Sequence, residues 1–463
     1  MKRRPPALNV VVDARLPPAA GLIDPAGLPL PPEALGGTVR LALGGLCRRV
    51  RLEGGAPRRE LRLDPATASA LGLPLWPAPP RLSLRVRATP GGLRLGPVIG
   101  LFLGDGSAED PESLLPWQAF CLAQAPVAGF IYAFDFAQED AAAWPEGRAG
   151  PVPPGRGGGK ARGERLVRGR LWDGRAFRAP AALPRPDAVW KRGEAVAELQ
   201  PVLHRLCRGR LFNERLRWSK AEVQAVLAGR PHVPEGFAAR LADETLAADA
   251  IAVGRFLERG AAYLKPVYGS QGNGVARLSR EGAGCRLQLD GTATVAPLEA
   301  VLRRYRDRAP SPAGYLVQRA IDQAAPGTPV DLRVMVQRGR DGRLRCTGMW
   351  ARLAEAGSVV SNRSAGGRLV EPHAMLRALG FADGAGRLAA VARGTVLLAR
   401  RLEAAFGRIG EAGFDVMFDR AGEWWVLEVN PRPGLMIFAA ADPAAFRRMV
   451  RAPLEYAAAL SGF

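Results

Sequence analysis

Three oxygen-bearing side chains in the stretch FDVMFDRAGEWWVLEVNPRPG, namely Asp415, Glu428 and Asn430, are of the types that hold a hard divalent cation. Glu428 and Asn430 are two residues apart, so on a strand they face the same side. A hairpin turning near Ala421–Gly422 would bring Asp415 toward them. Two carboxylates and an amide oxygen suit Mg²⁺, which also takes oxygens from nucleotide phosphates. Glu428 follows a strongly apolar run, WWVL, where an unpaired charge is costly. The plainer alternative is a strand-end Asp415 and a salt-bridged Glu428.

A second constellation is YLKPVYGSQGNGVARL, with Gly269, Gly272 and Gly274 just after Lys265. A P-loop needs GxxxxGK[ST], and the dinucleotide fingerprint needs GxGxxG between a strand and a helix. Here the lysine precedes the glycines, the spacing is GxxGxG, and VARLSR alternates as a strand does. The pattern predicts strand–loop–strand, a hairpin with a glycine tip. Such a tip can present successive backbone N–H groups to phosphate oxygens, with the Lys265 ammonium beside them. An ordinary glycine-rich hairpin is the other reading. Only five of the 65 basic residues are lysine, and Lys220 and Lys265 are the last two along the chain. A lysine kept where arginine is the habit suggests a need for a compact point charge.

The elements that must position these residues are legible in outline. Residues 1–94 read as a small β-rich domain, with short alternating segments such as TVRLALGG, RRELRLDP and RLSLRVRATPGG. Residues 95–195 read as an α/β unit. VIGLFLGDG, VAGFIYAFDF and PRPDAVWKRG look like buried strands, and a Gly/Pro/Arg-rich insertion falls near 139–165. Residues 196–463 read as an α+β domain with antiparallel hairpins around a buried site. In it Ser219 and Glu222 form a capping box, and Gly229 and Pro231 stop the helix that begins there. Leu388, Val391, Thr395, Leu398, Leu402 and Phe406 recur at helical spacing. DLRVMVQRGRDGRLRCTGMWARL turns at Asp341–Gly342.

Bulk properties exclude several classes. Five cysteines without a CxxC pair suggest neither a disulfide framework nor a zinc site. Three histidines give little support to a His-based metal site or a Ser-His-Asp triad. No apolar run approaches the ~18 residues of a membrane span. Asp13 and Arg15 interrupt the apolar stretch that a signal peptide needs, so a soluble cytoplasmic protein with no membrane partner is expected. The net charge of +21 would suit nucleic acid, but the arginines are dispersed with no basic block, and nucleic acid ranks last among the partners considered.

Lys220 at a helix start, YLKP…GSQGNG, YLVQRAID, DLRVMVQ, SNRSAGG and GFDVMFD…WVLEVNPRPG occur in the order of the ATP-grasp superfamily. Within it the wording most resembles the YheC/YheD family, described as endospore coat-associated proteins. The resemblance covers about residues 205–440, and the preceding α/β segment looks like the pre-ATP-grasp domain that usually accompanies the fold.

The resemblance implies ATP and Mg²⁺ as cofactors. Lys220 and Lys265 would contact the phosphates, and Gly269, Ser270, Gln271, Gly272 and Gly274 would form a flexible lid over them. Gln318, Arg319 and Ile321 would form the adenine hinge, although many relatives carry an acidic residue where Gln318 stands. Asp331 would reach ribose or phosphate. Arg333 and Arg352 would line the phosphate and acceptor region, with Asn362 near the transferred phosphate. Asp415, Glu428 and Asn430 would hold Mg²⁺. The implied reaction is ligation of a carboxylate to an amine or thiol through an acylphosphate, on small-molecule or peptide substrates, with a homodimer as a common state of such enzymes. The alternative is a non-catalytic or ATP-binding assembly protein of the forming spore coat, with coat proteins as partners.

Overall fold

In the computed structural model, residues 6–26, 35–73, 82–90, 92–106, 110–124, 126–135, 166–269, 272–324, 330–353 and 368–463 are described. The insertion near 139–165 lies outside them, as do Ser270, Gln271 and Asn362. The chain divides into two compact units, one of residues 1–216, 338–343 and 450–463, the other of residues 217–337 and 344–449. This division places 196–216 and 450–463, which the sequence reading groups with the last domain, in the first unit. Val202, Leu203 and Leu206 are buried in the first unit's core, and Leu454, Tyr456 and Ala457 pack in a cluster with Ile99, Leu101 and Trp190.

In the first unit seven strands close a barrel in the order Ala7–Val12, Glu60–Leu63, Ala20–Ile23, Leu46–Gly54, Thr38–Leu43, Gly92–Gly96 and Leu82–Thr89. Alternation drives it: along Thr38–Leu43, Val39, Leu41 and Leu43 are buried while Thr38 and Arg40 are exposed. A six-stranded sheet comes next. Val98–Phe102 lies between Phe130–Phe134 and Ala188–Lys191, parallel to both, and every residue of the three strands is buried. Parallel strands covered on both faces read as continuous apolar runs, which VIGLF and FIYAF are.

The second unit holds two sheets. The first runs Gly236–Ala239, Tyr315–Arg319, Ala262–Pro266, Ala276–Glu281, Gly284–Leu289 and Thr292–Ala296, with every neighbouring pair antiparallel. Helices Leu246–Leu257 and Leu298–Arg308 share its core through Val253, Phe256, Leu302 and Tyr305. The second runs Arg368–Val370, Leu344–Leu353, Val330–Arg338, Glu411–Phe418 and Trp424–Asn430. Its core is shared with the helix Gly384–Phe406, through Val391, Leu398, Leu402 and Phe406. Leu388 packs against the same core, as the helical spacing predicts.

Within that helix Gly394 is set by packing. A β-carbon there would overlap the Trp424 ring. Alanine is the better helix former by about 1 kcal/mol, but pushing an indole out of a packed core costs typically about 1–3 kcal/mol. Gly394→Ala is therefore expected to lower stability, read as an earlier urea midpoint; a later midpoint would show that Trp424 yields freely.

Candidate functional site

The capping box fixes Lys220. The Ser219 hydroxyl accepts from Glu222 N at 3.1 Å, and Ser219 N donates to Glu222 Oε2 at 2.9 Å. The helix Lys220–Leu227 therefore begins on Lys220, whose ammonium donates to Gly269 O at 2.7 Å and lies 3.4 Å from Glu428 Oε1.

Lys265 is the last residue but one of the strand Ala262–Pro266 and is buried. Its ammonium donates to Gln318 Oε1 at 2.6 Å and to Leu427 O at 3.3 Å. Gln318 Nε2 donates in turn to Gln224 Oε1 at 3.1 Å, and Gln224 Nε2 to Pro234 O at 2.8 Å. Two buried amides thus orient the lysine. Sequence reasoning missed Gln224; its only signal is a polar residue three positions before the buried Leu227 on one helix face. Burial lowers the Lys265 pKa to about 8, reinforced by Lys220 and opposed by Glu428 and Asp415.

The loop between Ala262–Pro266 and Ala276–Glu281 joins an antiparallel pair, so the glycine stretch is a hairpin tip. Gly272 and Gly274 have φ of +79° and +68°, which suit glycine at both positions. Gly274 O accepts from Tyr305 Oη at 2.8 Å, anchoring the far end of the loop.

On the second sheet Arg333, Asp415 and Glu428 form one cross-strand row, Arg333 opposite Asp415 and Asp415 opposite Glu428. The register shifts between Asp415 and Val416, where Val416 pairs with Val426 and Asp415 with Glu428. Leu427 is the extra residue of this bulge, and its carbonyl is the one that meets Lys265. In an unshifted hairpin Asp415 would face Leu427, and Glu428 would lie on the opposite face.

Asp415 is held by two guanidiniums. Arg333 Nε and Nη2 donate to its two oxygens at 2.5 and 3.1 Å, and Arg352 Nη2 lies 3.0 Å from Oδ1. Arg352 also grips Asp331 in bidentate fashion at 2.6 and 2.7 Å. Burial alone would raise the Asp415 pKa, but Arg333 and Arg352 outweigh it and hold the carboxyl at about 2. Burial likewise opposes the Arg352 charge, and Asp415 and Asp331 overcome it, raising its pKa. No sequence pattern signals this four-residue network, because the bonded partners are 21 to 82 residues apart in the chain.

The residues expected around the nucleotide have the following partners in place. Asp331, expected near ribose or phosphate, accepts from Arg352 on both oxygens. Arg319 N, expected at the adenine edge, donates to Glu235 O at 2.8 Å. The N–H and C=O of Ile321 have no hydrogen-bond partner among the described residues. Asn430 stands opposite Gly413, two residues from Glu428, and its amide has no partner among the described residues.

The donor chemistry fits Mg²⁺ at Glu428 and Asn430, which keep oxygens uncommitted. Asp415 fits in part, since its Oδ1 takes two donors and its Oδ2 one, against about four lone-pair positions on a carboxylate. Among the described residues no group of three His, Cys, Asp or Glu side chains could hold a metal, so any such site depends on the Asn430 amide.

Two antiparallel sheets facing each other across two lysines and a carboxylate row define an ATP-grasp fold, here preceded by additional N-terminal structure. The model of the YheC/D like ATP-grasp family matches residues 209–460, and the chain belongs to that family. It is 28% identical over 193 residues to the endospore coat-associated protein YheD of Bacillus subtilis (strain 168), a match spanning 38% of this chain and 40% of that relative's length. Among solved structures, the D-alanine–D-alanine ligase of Bacillus anthracis aligns with a TM-score of 0.43 at 12% identity, covering 79% of this chain and 98% of that one. The D-alanyl-alanine synthetase A of Vibrio cholerae aligns with a TM-score of 0.41 at 13% identity, covering 76% and 97%.

Proposed function

We propose that the chain is an ATP- and Mg²⁺-dependent ligase that activates a carboxylate as an acylphosphate and joins it to an amine or thiol. The observation that carries this is the meeting of Lys220, Lys265 and Glu428 between the two sheets of the second unit. Two ammonium groups placed by a helix start and a strand end would offset part of the charge of a triphosphate, and Ile321 would offer its backbone N–H and C=O to the base. Arg333 and Arg352, already charged and fixed, would orient anionic groups of the phosphate and acceptor. Lys220 would exchange its contact with Gly269 O for phosphate, with the glycine loop closing over it. Glu428 and Asn430, with the remaining lone pair of Asp415, would hold Mg²⁺. A Mg²⁺ ion held there would supply charge neutralisation for phosphoryl transfer.

Calorimetric titration of ATP with Mg²⁺, followed by ADP release across panels of carboxylates and amines, tests this reading. Absence of nucleotide binding would sink it. The description of the Bacillus subtilis relative favours a second reading, a coat-assembly protein that keeps the fold without turnover. Multiple turnovers on a defined acceptor would exclude that one. A cytoplasmic site of action, at or near a forming spore coat, belongs to both readings. No described helix is long and apolar enough to cross a membrane.

The lowered Lys265 pKa gives a pH signature. Below about 8 the group carries its ammonium; above it the charge needed for phosphate is lost. ATP affinity is expected to fall as pH rises from 7 to 9, roughly tenfold per unit at most beyond the midpoint. Lys265→Met should bind weakly and show a flatter profile by calorimetry. An unchanged profile would remove Lys265 from the phosphate site.

A further inference from the structure

We propose that the second unit carries a docking groove for an acidic peptide segment that inserts one apolar side chain, made of none of the residues assigned above to nucleotide or metal. The helix Gly384–Phe406 buries Val391, Thr395 and Leu398. On the neighbouring stripe Arg393, Leu397, Arg400 and Arg401 are exposed. The turn Arg230–His232 and Trp424 complete a groove of about 630 Å³, the size of a pocket for a few side chains.

The floor is apolar and firm. Leu398 and Trp424 are 6% and 5% exposed, and Leu397, 60% exposed, lies beside them. His232 stacks on Trp424 with ring centroids 4.0 Å apart and planes 18° apart, and its Nδ1 lies 2.9 Å from Trp424 O. The rim is cationic and uncompensated. Arg230, Arg393, Arg400 and Arg401 have no ion pair or side-chain hydrogen bond among the described residues, with Glu423 at the edge beside His232. Some exposed arginines of the same unit have carboxylates, as in Arg259–Glu235, Arg286–Glu281 and Arg303–Glu299; the groove differs in bringing four without one around a single apolar floor.

Charge complementarity selects the occupant. Arginine forks pair with carboxylates in bidentate fashion, and a recessed apolar floor takes one anchor side chain. A nucleic-acid strand would call for aromatic faces open to stacking, whereas the Trp424 ring is buried. A lipid surface would call for several apolar side chains projecting past the charges, whereas Leu397 is the single exposed large apolar residue of the groove and Leu398 and Trp424 are buried.

The test is fluorescence anisotropy of a labelled Glu-rich peptide with one central Phe against the full chain. Saturable binding is expected, weakening with salt. Arg393→Glu/Arg401→Glu should weaken it at least about tenfold, and so should Phe→Ala in the peptide, while ATP affinity stays unchanged. If the double reversal misfolds by thermal melt, Arg393→Gln/Arg401→Gln serves in its place. Absence of saturable binding, equal binding by the variant, or tighter variant-sensitive binding of a DNA duplex or of phosphatidylglycerol vesicles would overturn the proposal.

Discussion

Replacing Arg352 with alanine is expected to cost the second unit about 3–5 kcal/mol, because it breaks a buried ionic network by removing one partner. Arg352 is 6% exposed and contacts both Asp331 and Asp415. Without it Asp331 loses its bidentate partner and Asp415 keeps Arg333 alone, with both carboxylates still withdrawn from water. Urea unfolding followed by fluorescence of Trp218, Trp350, Trp424 and Trp425 measures the loss. Arg352→Lys should recover only part of it, since an ammonium cannot make the planar two-bond contact. The acid limb gives an independent check. The folded Asp415 pKa of about 2 lies below its ordinary 3.8. Its stabilising contribution is therefore complete above about pH 4 and is lost as pH falls toward 2. The gap between wild type and Arg352→Ala should narrow over that interval. A loss below about 1 kcal/mol at neutral pH would show that the network is not a structural core.

Glu428→Gln carries the largest functional expectation. The change keeps size and removes the charge that faces Lys220 and would hold the cation. Turnover should fall at least about 100-fold, and the gain in nucleotide affinity on adding Mg²⁺, measured against EDTA, should collapse. Because Glu428 supports the Lys265 charge, its loss should also move the fall in ATP affinity to lower pH. A merely structural glutamate would change melting temperature and leave that midpoint where it is. Unaltered turnover and Mg²⁺ response would place the cation elsewhere.

Much of the local structure is legible in the sequence. The Ser219–Glu222 capping box depends on residues three apart, and it forms as read. The turns at Gly342 and Gly422 adopt positive φ, which glycine admits without a β-carbon penalty. The glycine stretch is a hairpin tip because the residues after Gly274 alternate, and they form the strand Ala276–Glu281. Gln224 is not legible as a site residue. A glutamine in a helix ordinarily reads as surface, and its partner Gln318 is 94 residues away.

By itself the sequence determined which residues could do chemistry and which elements carry them: two retained lysines at element ends, and a carboxylate-bearing hairpin. These arise from local preferences, which act over a few residues. Tertiary structure decided which side each one faces and what it meets. The shift at Leu427 brings Glu428 onto the face of Asp415, because strand side chains alternate with period two and one extra residue reverses the face. It also decided that Asp415 answers to Arg333 and Arg352, since low-dielectric pairing depends on strands that become neighbours only in the folded sheet.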